Sequence, residues 1–86
     1  MDQNHAYNFA EGEVLHTEKE IEKRQENLYL GMVLGNNYGR KVSLNIHTKE
    51  GFKQIEMPIR ATLEFNVIMQ GGLKIPVHCI KEVRIG

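Results

Sequence analysis

Residues 54–70 read QIEMPIRATLEFNVIMQ. Apolar residues occupy all eight odd-numbered positions from Ile55 to Met69, and the even-numbered positions are polar except for Pro58 and Ile68. Such alternation is typical of β-strands that bury one face. The side chains that it predicts to be in the core are Ile55, Met57, Ile59, Leu63, Phe65 and Val67.

A straight strand over residues 55–69 would be too long for this protein. At about 3.3 Å per residue it would span roughly 50 Å. A domain of 86 residues is only about 25–30 Å across. The stretch must therefore bend sharply or turn while it keeps one face inward. Pro58 marks an edge or a bulge, because proline has no N–H group to donate to a sheet.

The segments on either side alternate too, at residues 42–47 and 73–79. Ile80 interrupts the second pattern, as a tight turn between two short strands would do. We therefore expect a mainly β fold in which a small, five-stranded, strongly bent antiparallel barrel covers about residues 41–86.

One α-helix is expected before the barrel. Thr17 and Glu20 form a capping-box pattern, in which the threonine side chain accepts a helix N–H group and the glutamate reaches back to the cap. The helix should therefore begin near Thr17 and cover about residues 17–30. Periodicity leaves open whether residues 28–34 are helix or a first strand.

The residues before this helix are polar. We expect residues 1–16 to form a mobile tail, in which Tyr7 and Phe9 are the side chains able to dock on the body. The start of the chain lacks the apolar segment of a secretory signal. Residues 17–86 should form a single domain, since 86 residues leave no room for a second core.

Composition indicates a soluble globular protein. No apolar run approaches the roughly 20 residues of a membrane span. Cys79 has no partner for an internal disulfide, which fits the reducing cytoplasm. The net charge of zero divides into −4 for residues 1–39 (seven acids, three bases) and +4 for residues 40–86 (eight bases, four acids). This asymmetry favours an interaction surface on the basic half.

Two segments resemble the Sm/Hfq-like small barrels. Val42 to Gly51 looks like the first Sm strand with its glycine turn, and Ile75 to Val83 is similar to the second Sm motif. Within the latter, His78-Cys79-Ile80 fits the histidine, small residue and isoleucine of the bacterial Hfq form. The chain also resembles an uncharacterised bacterial family through its NLYLG and IPV segments. The first resemblance implies an SH3-like or Sm-like barrel, RNA as the ligand and a homo-oligomer.

The residues show no arrangement for catalysis or metal binding. The four histidines lack the spacing of a metal site, and Cys79 is best interpreted as a small core residue. Cys79 and His78 have no orienting Asp or Asn. Gly71-Gly72 is not followed by the helix or lysine of a phosphate-binding loop. The sequence therefore predicts a protein that is not an enzyme, with no metal and no cofactor.

Two non-enzymatic functions remain. The leading hypothesis is binding of nucleic acid, most simply single-stranded or structured RNA. The rival is a protein-interaction or assembly module of the same fold, with itself or another protein as partner and no membrane. The residues expected to gather on one rim and bind nucleic acid are Arg60, Lys74, His78, Lys81 and Arg84. The alternative surface consists of Asn36, Asn37, Tyr38, Arg40 and Lys41.

Overall fold

A computed structural model describes residues 7–85, which form one α-helix and two antiparallel sheets. The elements are α1 (Glu18–Tyr38), β1 (Val42–Thr48), β2 (Gly51–Met57), β3 (Ile59–Thr62), β4 (Asn66–Met69), β5 (Lys74–Pro76) and β6 (Ile80–Ile85). Sheet A has the order β2-β1-β6 and sheet B the order β3-β4-β5. A 3-10 turn over Val77–Cys79 joins β5 to β6, as the interrupted alternation predicted. None of the described helical residues forms a stretch long and apolar enough to cross a membrane.

The mainly β fold with one N-terminal helix is confirmed, but the five-stranded barrel is wrong. The described residues contain six strands, and the two sheets do not close into a barrel. The break falls at Pro58, which separates β2 from β3. The pairing of β2 with β1 ends at Met57 and Val42, and β3 pairs with β4 instead. Because proline cannot donate to the ladder, a second sheet begins there.

The inward alternation does not continue through β3. The register of β3 against β4 shifts between Ile59 and Ala61, so Arg60 is the extra residue of a bulge. A shift of one residue reverses which side chains face inward. Ile59 is fully buried, whereas beyond the bulge it is the even-numbered Thr62 that pairs with buried Val67. The odd-numbered residues Leu63 and Phe65, which lie between the bulge and β4, therefore face outward.

The predicted core is confirmed in part. Four of its members are buried or pack against the core: Ile55, Met57, Ile59 and Val67. Leu63 and Phe65 were predicted wrongly, because they are 55% and 71% exposed. Both lie in the bend between β3 and β4, beyond the bulge. The rest of the core comes from the helix and both sheets: Leu28, Val42, Leu44, Ile46, Met69, Leu73, Ile75, Ile80 and Val83.

The start of α1 confirms the capping box, while its end differs from the prediction. The Glu20 N–H group donates to Thr17 Oγ1 at 3.1 Å, and the Glu20 carboxylate accepts the Thr17 N–H group at 3.1 Å. The helix extends past the predicted residue 30, and residues 28–34 are helical. Its last residue is Tyr38, and Gly39 caps it with a φ of 68°, in the left-handed region that favours glycine.

Two glycines let α1 approach the sheets closely. A Cβ atom at Gly31 would lie 2.8 Å from Val42 Cγ1, and one at Gly35 would lie 2.7 Å from the backbone oxygen of Ile59. Both distances are shorter than van der Waals contact, so a larger residue would force the helix away. This contact offsets the poor intrinsic helix propensity of glycine, which is why the helix continues through both positions.

Residues 7–16, the described part of the tail predicted for residues 1–16, contact β1 and the turn before β6. Phe9 forms a β-bridge with Thr48, and its ring stacks on that of Tyr7 with 6.1 Å between centroids. Both aromatic side chains pack against the core, as expected. The part of the predicted tail at residues 1–6 lies outside the described residues.

The different positions of Ile59 and Phe65 give a testable contrast. Ile59→Ala removes a fully buried side chain and should lower the free energy of unfolding by about 2–5 kcal/mol. Phe65→Ala removes a mostly exposed side chain and should change it by less than about 1 kcal/mol. Urea denaturation followed by circular dichroism measures both. A loss of several kcal/mol in Phe65→Ala would contradict the outward turn of the chain after the bulge.

Candidate functional site

The predicted nucleic-acid rim is divided between the two sheets. Arg60 lies on β3 and Lys74 on β5, both in sheet B, whereas Lys81 and Arg84 lie on β6 in sheet A. His78 lies in the turn that joins the sheets. Of the predicted set, strand placement brings together only Lys81 and Arg84.

His78 and Cys79 share one acceptor. His78 Nε2 lies 3.0 Å and Cys79 Sγ 3.1 Å from the backbone oxygen of Ala10, so both side chains act as donors. Burial raises the pKa of the Cys79 thiol, which disfavours the nucleophilic thiolate. Cys79 is a core residue, as predicted. Within residues 7–85, no group of three or more His, Cys, Asp or Glu side chains is placed to hold a metal ion.

The outer face of sheet A carries an aromatic and charged cluster. Phe52 on β2 stacks on His47 of β1, with 4.9 Å between ring centroids and 22° between ring planes. Lys81 Nζ lies 4.8 Å from the centroid of the half-exposed Phe52 ring. On β6, Arg84 Nε donates to Glu82 Oε2 at 3.2 Å. This face therefore carries the rings of Phe52 and His47 and two cations, one of which is paired with Glu82.

The alternative surface lies where α1 ends and the chain enters β1: Asn36, Asn37, Tyr38, Arg40 and Lys41. All five residues are exposed. Asn36 Nδ2 donates to the backbone oxygen of Arg60 at 3.1 Å. Arg60 therefore belongs to this end of the molecule and not with the cations of β6.

An apolar surface forms around two side chains that the alternation assigned to the core. We call it the Leu63 surface, and it consists of Tyr29, Leu63, Phe65 and Val77. Tyr29, Leu63 and Val77 line one cleft of about 340 Å³. The Val77 N–H group donates to the Phe65 oxygen at 2.9 Å, which places Phe65 beside the cleft. Tyr29 is 62% exposed, so three large apolar side chains meet solvent here.

Acidic side chains border the Leu63 surface. Glu64 lines the cleft itself. Glu22 and Glu26 precede Tyr29 by seven and three residues, which places them on the same face of α1. Among the described residues, the lining of this cleft includes no lysine or arginine. The surface is therefore apolar at its centre and negative at its border.

Arg24 is buried under the N-terminal half of α1, with 5% of its surface exposed. Its Nη1 and Nη2 atoms donate to the two carboxylate oxygens of Glu13 at 2.6 and 2.7 Å. Nη1 also donates to the backbone oxygen of Ile80 at 3.0 Å. Hydrogen bonding to Arg24 lowers the pKa of Glu13. The pair thus ties the segment before α1 and the start of β6 to the helix.

Sequence reasoning missed both the Leu63 surface and the burial of Arg24. A signal existed for Arg24, which follows Ile21 by three residues and precedes Leu28 by four, on the apolar stripe of the helix. For Leu63 and Phe65 the pattern itself was misleading. The bulge at Arg60 reverses which residues face inward, and the bend before β4 reverses it again. The apolar odd-numbered pattern therefore runs without a break through Leu63 and Phe65, although these two side chains face outward.

The Glu13–Arg24 pair should make stability depend on pH. Because the pKa of folded Glu13 lies below its ordinary value of 4.5, the stabilisation is fully present above that pH and is lost as the pH falls through the folded pKa. Glu13→Gln should lower the free energy of unfolding at neutral pH by on the order of 2 kcal/mol. It should also flatten the decrease in stability at acid pH.

Chemical denaturation at several pH values measures both effects. Glu22→Gln is the matched control, since Glu22 is exposed on the same helix. If Glu13→Gln and the unmodified protein lose stability in parallel below pH 4.5, the pair does not stabilise the folded state.

Comparison with known proteins identified no relative of this chain. No protein-family model matches the chain, and neither does any curated protein or solved structure. The resemblance to Sm/Hfq-like barrels stays a prediction from the sequence, and the function has to be inferred from the surfaces themselves.

Proposed function

We propose that this chain is a non-enzymatic protein-interaction module. Its Leu63 surface binds a segment of another protein that carries apolar anchors and basic flanking residues. The observation that supports the proposal is the exposure of Leu63 and Phe65 beside Tyr29, around one cleft. Grouped large apolar side chains on a small protein mark an interaction site more often than isolated ones do.

Burial of these side chains supplies the driving force for binding. A Leu or Phe side chain that moves fully from water into an interface contributes about 1.5–3 kcal/mol. The aromatic rings of Tyr29 and Phe65 are of the type that dominates binding energy at interfaces. The cleft between Tyr29, Leu63 and Val77, about 340 Å³, is concave and suits an inserted side chain.

The acidic border selects the charge of the partner. Glu22, Glu26 and Glu64 attract lysine and arginine on the flanks of the bound segment and repel nucleic-acid phosphates. A second copy of this chain fits less well, because a two-fold interface would bring both sets of acids together. The partner is therefore a basic segment of a different protein.

Selection from a displayed library of random peptides tests this proposal without a known partner. Peptides that bind the folded protein should be enriched in apolar or aromatic residues flanked by Lys or Arg. Leu63→Glu should weaken the best synthetic peptide by about tenfold or more, which is about 1.4 kcal/mol. Fluorescence anisotropy measures the affinity, and circular dichroism verifies that the variant is folded.

Tyr38→Ser is the matched control, because Tyr38 is another exposed aromatic residue but lies outside the Leu63 surface. It should leave peptide affinity unchanged. Enrichment of acidic peptides, or equal loss of affinity in Tyr38→Ser and Leu63→Glu, would contradict the proposal. A Leu63-dependent dimer in light scattering would identify a second copy as the occupant instead.

Binding of single-stranded RNA on the outer face of sheet A is a second candidate. The Phe52–His47 stack with Lys81 beside it favours this function, because aromatic rings and cations together bind single strands without sequence preference. Arg84 adds a second cation to the face. The resemblance to Sm/Hfq-like barrels implies the same ligand, and the cytoplasmic location expected from the single Cys79 suits either function.

Titration with labelled single-stranded RNA separates the two candidates. Two phosphate contacts, by Lys81 and Arg84, would give a log–log salt slope of about −1.4, at roughly 0.7 per contact. Arg84→Ala should flatten the slope by about 0.7, and Phe52→Ala should remove about 1–3 kcal/mol of stacking. If no RNA binds at low salt, this candidate is wrong and the Leu63 proposal is unaffected.

A further inference from the structure

A cleft of about 620 Å³ lies between the N-terminal half of α1 and β6. Three consecutive residues of β6 line it: Lys81, Glu82 and Val83. Because successive side chains of a strand point to opposite faces of a sheet, these three residues share only the strand edge. The cleft therefore runs along the edge of β6, with α1 as its opposite wall. We call it the β6 groove, and it shares no lining residue with the cleft of the Leu63 surface.

The pairing of β1 determines which backbone groups of β6 point into this groove. The N-terminal segment and β6 lie on the same side of β1, because β2 occupies the other side. On that side the His47 oxygen accepts the Ala10 N–H group. Backbone groups along a strand point alternately to its two sides, so those of Asn45 point the same way as those of His47. Asn45 therefore bonds with Glu82, its partner on β6.

Val83 and Ile85 come next in the alternation, so their N–H and C=O groups point away from β1. No residue in the range 7–85 pairs with these groups. The Ile80 oxygen shows that this edge faces the helix, since it accepts from Arg24 Nη1 at 3.0 Å. Lys81, the extra residue where the register shifts, keeps Ile80 and Val83 on the same edge. The helix thus satisfies the edge at Ile80 and leaves it open further along.

We propose that the β6 groove binds an extended, acidic segment of another protein, which adds to sheet A as a fourth strand beside β6. The unpaired N–H and C=O groups of a strand edge can pair with an incoming strand in this way. Neighbouring strands lie about 4.8 Å apart, and the open volume of about 620 Å³ beside β6 leaves room for one. The proposal rests neither on the Leu63 surface nor on RNA binding, so its failure leaves both of those standing.

The charges of the groove select an acidic segment. Lys19 and Lys23 lie one turn apart on α1, line the groove and are exposed. Neither forms an ion pair with another residue of the described chain. The acids of the lining are already engaged, because Glu20 caps the helix and Glu82 accepts from Arg84. A carboxylate on the bound strand therefore meets two cations that have no competing partner.

The lining also indicates the pattern of the bound segment. Leu15 and Val83 present apolar side chains in the groove. A bound strand directs every second side chain to the same face, so alternating apolar and acidic residues suit the groove. A second copy of this chain fits poorly, since two-fold pairing of two β6 edges would bring the lysines of both helices together.

A short synthetic peptide tests the proposal without a known partner. The probe is the pentapeptide VEVEV, acetylated and amidated at its ends, because valine favours an extended backbone. VKVKV reverses its charge, and VEVEV methylated at every peptide nitrogen keeps the charge but removes the backbone donors. Five residues make few contacts, so we expect a dissociation constant of about 1 mM. Such binding does not survive the washes of a displayed-library selection, so the groove leaves the test of the Leu63 surface unaffected.

Amide hydrogen exchange, followed by proton–nitrogen NMR, measures binding at the strand edge itself. The Val83 and Ile85 amides should exchange quickly in the free protein, since they have no partner among residues 7–85. VEVEV at about 10 mM should slow both by up to about tenfold. The Gln54 and Glu56 amides have the corresponding position on β2, the other edge of sheet A, and should not change.

Two variants test the charge of the groove. Lys23→Gln should weaken VEVEV by about twofold to fivefold, the range of one exposed ion pair. Lys53→Gln is the matched control, because Lys53 is an exposed lysine of sheet A that lies outside the groove. It should leave the affinity unchanged.

Four results would overturn the proposal. VEVEV leaves the exchange of Val83 and Ile85 unchanged, or slows Gln54 and Glu56 equally, so that β6 is not a preferred edge. VKVKV binds as tightly as VEVEV, or Lys23→Gln and Lys53→Gln weaken binding equally, so that the lysines of α1 select nothing. The methylated peptide binds as well as VEVEV, which excludes strand addition. Light scattering shows a dimer that slows exchange of the Val83 amide, which makes a second copy the occupant.

Discussion

Gly31 and Gly35 hold α1 against both sheets, and the positions of the other elements follow from that contact. Gly31 faces Val42, the first residue of β1, and Gly35 faces the backbone of Ile59, the first residue of β3. One strip of helix backbone thus touches sheet A and sheet B where each begins. Beneath the helix, buried side chains of the two sheets complete a single core, so the helix contact and the core together fix how the sheets pack.

The Leu63 surface and the burial of Arg24 are both consequences of that arrangement. With Ile59 held inward under the helix, the bulge at Arg60 turns the next odd-numbered residues outward, and Leu63 meets Tyr29 across a cleft. On the same helix face, Arg24 precedes Gly31 by seven residues, or about two turns. It is buried against β6 for that reason, and Glu13 then neutralises one end of its guanidinium.

Local signals in the sequence predicted much of this fold. The capping box at Thr17, the turn before β6 and the burial of Ile55, Ile59 and Cys79 each depend on a few neighbouring residues, and each is confirmed. The features that were missed depend on pairing between distant residues. The alternation of apolar residues along a strand does not show which other strand it pairs with. Neither the division into two sheets at Pro58 nor the outward orientation of Phe65 was therefore evident. The length of α1 was missed because glycine disfavours a helix unless a neighbour requires it.

Substitution of Gly35 by alanine examines the helix–sheet contact itself, through the sign of the stability change. At an exposed helix position, Gly→Ala raises the free energy of unfolding by about 1 kcal/mol. At Gly35 the added Cβ would lie 2.7 Å from a backbone oxygen, and crowding of this kind costs about 1–3 kcal/mol. Urea denaturation of Gly35→Ala, with exposed Asn37→Ala as the control, should therefore show a net loss at Gly35 and no loss at Asn37. A gain in stability at Gly35 would mean that α1 does not approach β3 so closely, and the arrangement of the two sheets described above would be wrong.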